Sequence, residues 1–463
     1  MSGAGFDLRR ILKRIPRSPY VNQAVLFIVP SLVVTAVSVI LFSQLTAFTP
    51  RQYNIFSITI MVAIILSLVG MAGMQLVVHR IVDDREHYSD GAATRVIRVG
   101  IIYSVIFSIV ASGLLSFYFL GVLNFSLTDF FYFSLLLFLY SATWVISSAF
   151  WASQQYKYSA LIFTFSYLLV FAFTHSAYLK SPDYAIAGYI GGIAVLLTLS
   201  WLVAKVVFPK PKVNHKLSND LSEMPKLVSQ YKVPIVFNIL YVFAIFLDKI
   251  IVWASQGLIS GENLLVTGPY TQAAFLGFIP MFSVAAIAYF TSRTKSLVKD
   301  RYKGTFSEIQ KGIREYKHIY WRSLRAMLLA AVALFAVAAI FSFRFIADAE
   351  VLRIMFTISI GSLFFVVIIF NSAVLPIFGK NNISTLAVLA VIVSELLFIP
   401  FVASGIWYSS LGFLVGSFAG FLITFLFTRR LFSDFEYNMF RFVASISLKS
   451  SISPKRYKWE VQQ

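Results

Sequence analysis

The 463-residue chain contains no cysteine, which removes disulfides, thiolate metal sites and thiol nucleophiles and leaves the redox compartment unread. Charge is scarce too. Only 13% of residues are Asp, Glu, Lys or Arg, against about 25% in a soluble domain. The five histidines, His79, His87, His175, His215 and His318, are scattered without HExxH or another metal-ligand spacing. No GxxxxGK[ST] phosphate loop occurs, and no polar stretch is long enough to fold a nucleotide-binding or nucleotide-sugar-using domain. No catalytic residue, metal or cofactor is expected.

What the chain has is apolar length. Hydrophobic residues make up 59% and the mean hydropathy is +0.80, an excess that a water-soluble core cannot absorb. They fall into blocks long enough for a helix to cross about 30 Å of hydrocarbon. The expected spans are 22–45, 53–78, 99–123, 129–152, 158–178, 184–208, 233–255, 265–291, 323–346, 353–379, 383–403 and 405–428. The first is too long for a secretory signal and is read as retained. The fold class is therefore an all-α polytopic membrane protein of about twelve transmembrane helices.

The net charge of +19 tests this topology. With Met1 inside, 34 of the 39 Lys and Arg residues lie in cytoplasmic segments, as the positive-inside rule requires, and both termini are cytoplasmic. The opposite face keeps Arg51, Lys180, Arg344 and Arg353, and Lys249 lies inside a span. Nucleic acid is not needed to explain the basic pI, and no soluble domain is left to bind it.

Five parts are expected: a cytoplasmic amphipathic helix at 1–20, a six-helix lobe at 21–208, a basic cytoplasmic linker at 209–232, a second six-helix lobe at 233–428 with a cytoplasmic helical extension at 293–322, and a cytoplasmic tail at 429–463. Leu8, Ile11, Leu12 and Ile15 share one face of the first helix. Arg9, Arg10, Lys13 and Arg14 surround them, a pattern suited to anionic lipid at the inner leaflet, to topology anchoring, or to docking a cytoplasmic partner.

Ionisable and amide residues inside spans are expensive and so mark a pathway by default. Asp248 and Lys249 lie toward the outer half of span 7. Neighbours on a helix point about 100° apart, so the two are not expected to neutralise each other face to face. Lys249 can snorkel to the outer interface beside Trp253, a reach that Asp248 lacks. Glu395 in span 11 has no basic residue nearby in sequence, and suits either proton-coupled transport or an interhelical bond. Gln75, Asn238, Gln272 and Asn371 suit hydroxyl-rich substrates or helix-to-helix hydrogen bonds. Tyr140, Tyr167, Tyr241, Tyr270 and Tyr289 lie well inside spans, where they suit sugar rings or ordinary packing.

The opening MSGAGFDLRRIL resembles the start of the PelG-type exopolysaccharide transporters, a branch of the multidrug/oligosaccharidyl-lipid/polysaccharide exporter superfamily. HRIVDDREHY followed by RVIRVG, LDKIIVW in span 7, and GPYTQAAFLGFIPMFSVAAIAYFTSRTKSLVKDRYKGTFSEIQ resemble it further. The chain departs from the expected pattern after span 8, where Arg293 and Lys295 stand in place of an acidic residue. The resemblance implies a MATE/Wzx-like fold of two six-helix lobes around a cavity that opens alternately to either side. It also implies a hexosamine-rich, Pel-like cargo, a cytoplasmic glycosyltransferase and other membrane subunits of an exopolysaccharide synthase complex as partners, and residence in the cytoplasmic (inner) membrane. A lipid-linked oligosaccharide flippase and a non-transporting scaffold for a glycosyltransferase are the other readings.

Overall fold

The computed structural model describes residues 48–85, 91–208, 231–260, 269–285, 306–345, 348–378 and 380–434, with isolated positions at 33, 34, 37, 41, 221, 222, 225, 228, 229, 287, 290, 294 and 437. Regular structure among the described residues is entirely helical. In chain order the α-helices are α1 Pro50–Arg85, α2 Ala92–Ser116, α3 Leu127–Ala152, α4 Tyr156–Tyr178, α5 Ala185–Val207, α6 Lys232–Ser260, α7 Pro269–Gly277, α8 Phe306–Phe345, α9 Ala349–Val374, α10 Asn381–Val402 and α11 Trp407–Ser433. Ten of these, all but α7, are long and apolar enough to cross a membrane.

They coincide with ten of the twelve expected spans. Of the other two, 22–45 lies largely outside the described residues, and 265–291 is represented by α7 and the 3-10 turns Ile279–Ala285. Several helices run beyond the expected bounds. α1 has 36 residues, or roughly 54 Å, so its end projects past the hydrocarbon. Residues 306–322 of the expected extension run into span 9 without a break. α8 is one helix of 40 residues, with no proline between Phe306 and Phe345 to interrupt it.

The chain packs into two sets of cores. One joins α1 to α5 around Phe133, Leu136, Val145, Val170 and Ile193. The other joins α6 to α11, around Ile354, Phe365 and Phe413 in one part and Phe290, Tyr320 and Phe370 in another. Lipid cannot drive helices together as water does, so contact depends on letting backbones approach.

Glycines provide that approach at the same place in each half. In the α4/α5 hairpin, a Cβ at Gly192 would stand 2.5 Å from Val170 Cα, and one at Gly188 the same distance from the Phe173 carbonyl oxygen. In the α10/α11 hairpin, a Cβ at Gly416 would stand 2.6 Å from Val391 Cα, and one at Gly420 2.7 Å from the Ala387 carbonyl oxygen. Both pairs follow the small-xxx-small spacing. The turn expected at Pro182 is the 3-10 segment Pro182–Tyr184.

The two halves meet where α1 crosses α6. Asn238 Nδ2 donates to the Ala72 carbonyl at 2.8 Å, and Gly73 lies against Ile235.

Candidate functional site

Among the described residues the buried charged side chains are Asp248, Lys249 and Glu395, with relative exposures of 0%, 1% and 1%. All three belong to the second half. α6 supplies the adjacent pair, and α10 supplies the carboxyl. The close glycine packing of α10 on α11 carries Glu395 inward, since a Cβ at Gly412 of α11 would stand 3.0 Å from Glu395 Cα, a tight contact.

Lys249 does not snorkel outward. Its ammonium donates to Asp248 Oδ1 at 2.9 Å and to the Ile245 carbonyl one turn back at 2.8 Å, and it lies 3.9 Å from the Phe278 ring centroid. The expectation that neighbours cannot neutralise each other fails for a physical reason. The two Cβ vectors do diverge, but the flexible four-carbon stem folds back across its own helix toward the i−4 carbonyl, which brings the ammonium to the preceding carboxylate.

Two residues complete the pair's surroundings. Tyr270 of α7 donates its hydroxyl to Asp248 Oδ2 at 2.8 Å, and Ser409 of α11 donates to the Asp248 carbonyl at 3.0 Å. Both Asp248 carboxylate oxygens are therefore occupied. Glu395 differs, because neither of its oxygens has a hydrogen-bond partner, although it lies within electrostatic range of both Asp248 and Lys249. Three ionisable side chains, 147 residues apart in sequence at their extremes, form one buried cluster.

The amides divide differently. Asn238 pins the seam between the halves through Ala72. Gln75, one turn further along α1, leaves its Nε2 buried without a partner. Asn371 has its Oδ1 accepting from Tyr320 at 2.7 Å and its Nδ2 unpaired. The Gln272 side chain and Tyr289 lie outside the described residues, as do Arg9, Arg10, Lys13 and Arg14.

The first half uses hydroxyls where the second uses charges. Tyr140 and Tyr189 share a hydrogen bond of 2.6 Å, Tyr167 is buried nearby, and Trp144 Nε1 donates to Ser67 at 3.1 Å. Sequence reasoning singled out Tyr270 only as one aromatic among several, and nothing in the sequence marked Ser409. Among the described residues no group of three or more His, Asp or Glu could hold a metal ion.

Residues 1–440 match the model of a family described as "PelG: Putative exopolysaccharide Exporter (EPS-E)". No curated protein matches the sequence. Solved structures do. An outward-facing multidrug resistance MATE family transporter of the MOP superfamily aligns with a TM-score of 0.64 and 14% identity, over 90% of this chain and 96% of the other. An inward-facing MATE family transporter of the same superfamily aligns at 0.59 and 15%, over 89% and 96%. A MATE in the straight conformation aligns at 0.66 and 13%, over 90% and 96%. The fold is that of the MATE transporters.

Proposed function

This chain belongs to the PelG family of exopolysaccharide exporters, a family of transporters and not of enzymes, and from that premise we propose that it moves a polysaccharide across the cytoplasmic membrane by alternating access. The observation that carries this reading is the buried Asp248–Lys249–Glu395 cluster, confined to one of two lobes. Packing alone gives no reason to keep three ionisable groups in an apolar bundle, since a buried ion pair adds little net stability. Intramembrane charges mark coupling sites in transport. The α1/α6 seam, held by Asn238 and flanked by the unpaired Gln75 Nε2, is the place where rocking lobes would part.

The cargo that fits the family is a hexosamine-rich polymer, delivered by a cytoplasmic glycosyltransferase. Both termini are assigned to the cytoplasm on the distribution of Lys and Arg. A basic groove on α8 suits an acidic partner or lipid headgroups. There Arg314, Lys317, Arg322 and Arg325 line a groove of about 580 Å³ beside Trp321.

The test is export of exopolysaccharide by cells carrying Asp248→Asn or Glu395→Gln, with membrane insertion checked by quantifying the protein in the membrane fraction. Export should fall by about tenfold or more for each. Full export by both variants would overturn the transport role of the cluster and favour a scaffold that only recruits the glycosyltransferase.

A further inference from the structure

We propose that the Lys249 ammonium is a resident counter-cation that closes the charged cluster to sodium and potassium, leaving a proton on Glu395 as its exchangeable charge. The inference deepens the transport reading above and rests on it only for the use the cell makes of the proton.

The argument begins with charge balance. The cluster holds two carboxyls and one ammonium, all at or below 1% exposure. Two ionised carboxylates against one ammonium would leave a net negative charge in a region without water, which is far more costly than a neutral group. One proton therefore restores neutrality.

Hydrogen bonding says which carboxyl holds it. Asp248 accepts from Lys249 on one oxygen and from Tyr270 on the other, the environment of an ionised acceptor. Glu395 accepts from nothing. The charged groups that act on it are Asp248 and Lys249, and the remaining titratable group of the cluster, Tyr270, is turned toward Asp248.

The same contacts exclude a metal cation. Hard cations require several oxygen ligands together. Here the oxygens of Asp248 are already committed, Ser409 is tied to the Asp248 carbonyl, and the cation's place beside Asp248 is filled by an ammonium that also bonds the Ile245 carbonyl and faces the Phe278 ring. A proton needs no such shell. It can leave Glu395 when the cluster meets water, and the adjacent ammonium then supports the carboxylate that remains.

The experiment uses the purified full-length protein in detergent. Melting temperature is compared in sodium chloride and in choline chloride at equal concentration, and the infrared spectrum is read for the carbonyl stretch of a neutral carboxylic acid. The wild type should show no sodium-specific shift. Lys249→Met, and Lys249→Gln as the variant that keeps a hydrogen-bonding side chain, should gain a sodium-specific rise of about 2 °C or more, because the two carboxyls are then free to share a cation. Adding Glu395→Gln to either should abolish the gain. The neutral-acid band should weaken in Glu395→Gln and in Asp248→Asn, where Glu395 ionises to balance the Lys249 ammonium, and should return in Asp248→Asn with Lys249→Met, which leaves Glu395 without a counterion.

A sodium-specific shift in the wild type overturns the proposal. So does a folded Lys249 variant that gains none, or a neutral-acid band unchanged in Glu395→Gln. None of these readings depends on export, so a chain that meets them yet exports normally as Glu395→Gln separates failure of the transport reading from failure of this one.

Discussion

At the scale of single residues, the pairing of Asp248 with Lys249 sets up a redundancy. If Asp248 is lost, Glu395 is close enough to become the counterion, so Asp248→Ala should destabilise the protein by about 1–3 kcal/mol. Asp248→Ala with Glu395→Gln strands a buried ammonium, and the cost should rise to about 3–5 kcal/mol. Unfolding of the two single variants and the double variant in mild detergent gives the coupling directly, and strict additivity would show that Glu395 and Asp248 do not serve the same cation. The individual charges were legible in the sequence because a polar residue stands out in an apolar run. Their assembly was not. Glu395 reads as isolated along the chain, and only the packing of α10 against α6 and α11 brings it to Lys249. The direction taken by Lys249 was misread because Cβ geometry on a helix says little about the far end of a flexible stem.

Among the helices, the two glycine hairpins show how contact is made where solvent offers no drive. Gly416→Ala places a Cβ against the Val391 backbone, which cannot rotate aside. It should cost on the order of 2 kcal/mol through forced separation of α10 and α11. Gly113→Ala in α2 meets nothing within 4 Å, and should be neutral or slightly stabilising through helix propensity. Melting temperatures of the two variants make the comparison, and equal values would mean that the hairpin tolerates loosening. Ten of the described helices were readable as spans because a stretch of about 20 apolar residues has one common use. That residues 306–322 continue into span 9 as one helix was not readable, since a change from polar to apolar composition marks where a helix enters lipid and carries no information on whether it stops.

For the whole molecule, the cysteine-free sequence makes the seam between lobes open to a clean test. A Cβ at Gly73 would lie 4.0 Å from Ile235 Cβ, a separation that a disulfide spans without distortion. Gly73→Cys with Ile235→Cys therefore introduces the only two thiols in the chain. Oxidation should stop export and a reductant should restore it, while export that continues through a closed crosslink would rule out parting of the lobes at α1 and α6. The basic stretch at mid-chain suggested a division into halves, whereas the seam itself has no signature, because Asn238 and Ala72 become partners only in three dimensions.

The 40-residue span of α8 gives this arrangement a lever. The helix is roughly 60 Å long, about twice the hydrocarbon thickness, and Lys317 in its first half holds the Phe432 carbonyl at the end of α11. A rod embedded for half its length magnifies a tilt. A rotation of about 10° within the membrane displaces the free end by roughly 5 Å over the protruding 30 Å. Any enzyme resting on that end would register the posture of the second lobe mechanically, without touching the cargo.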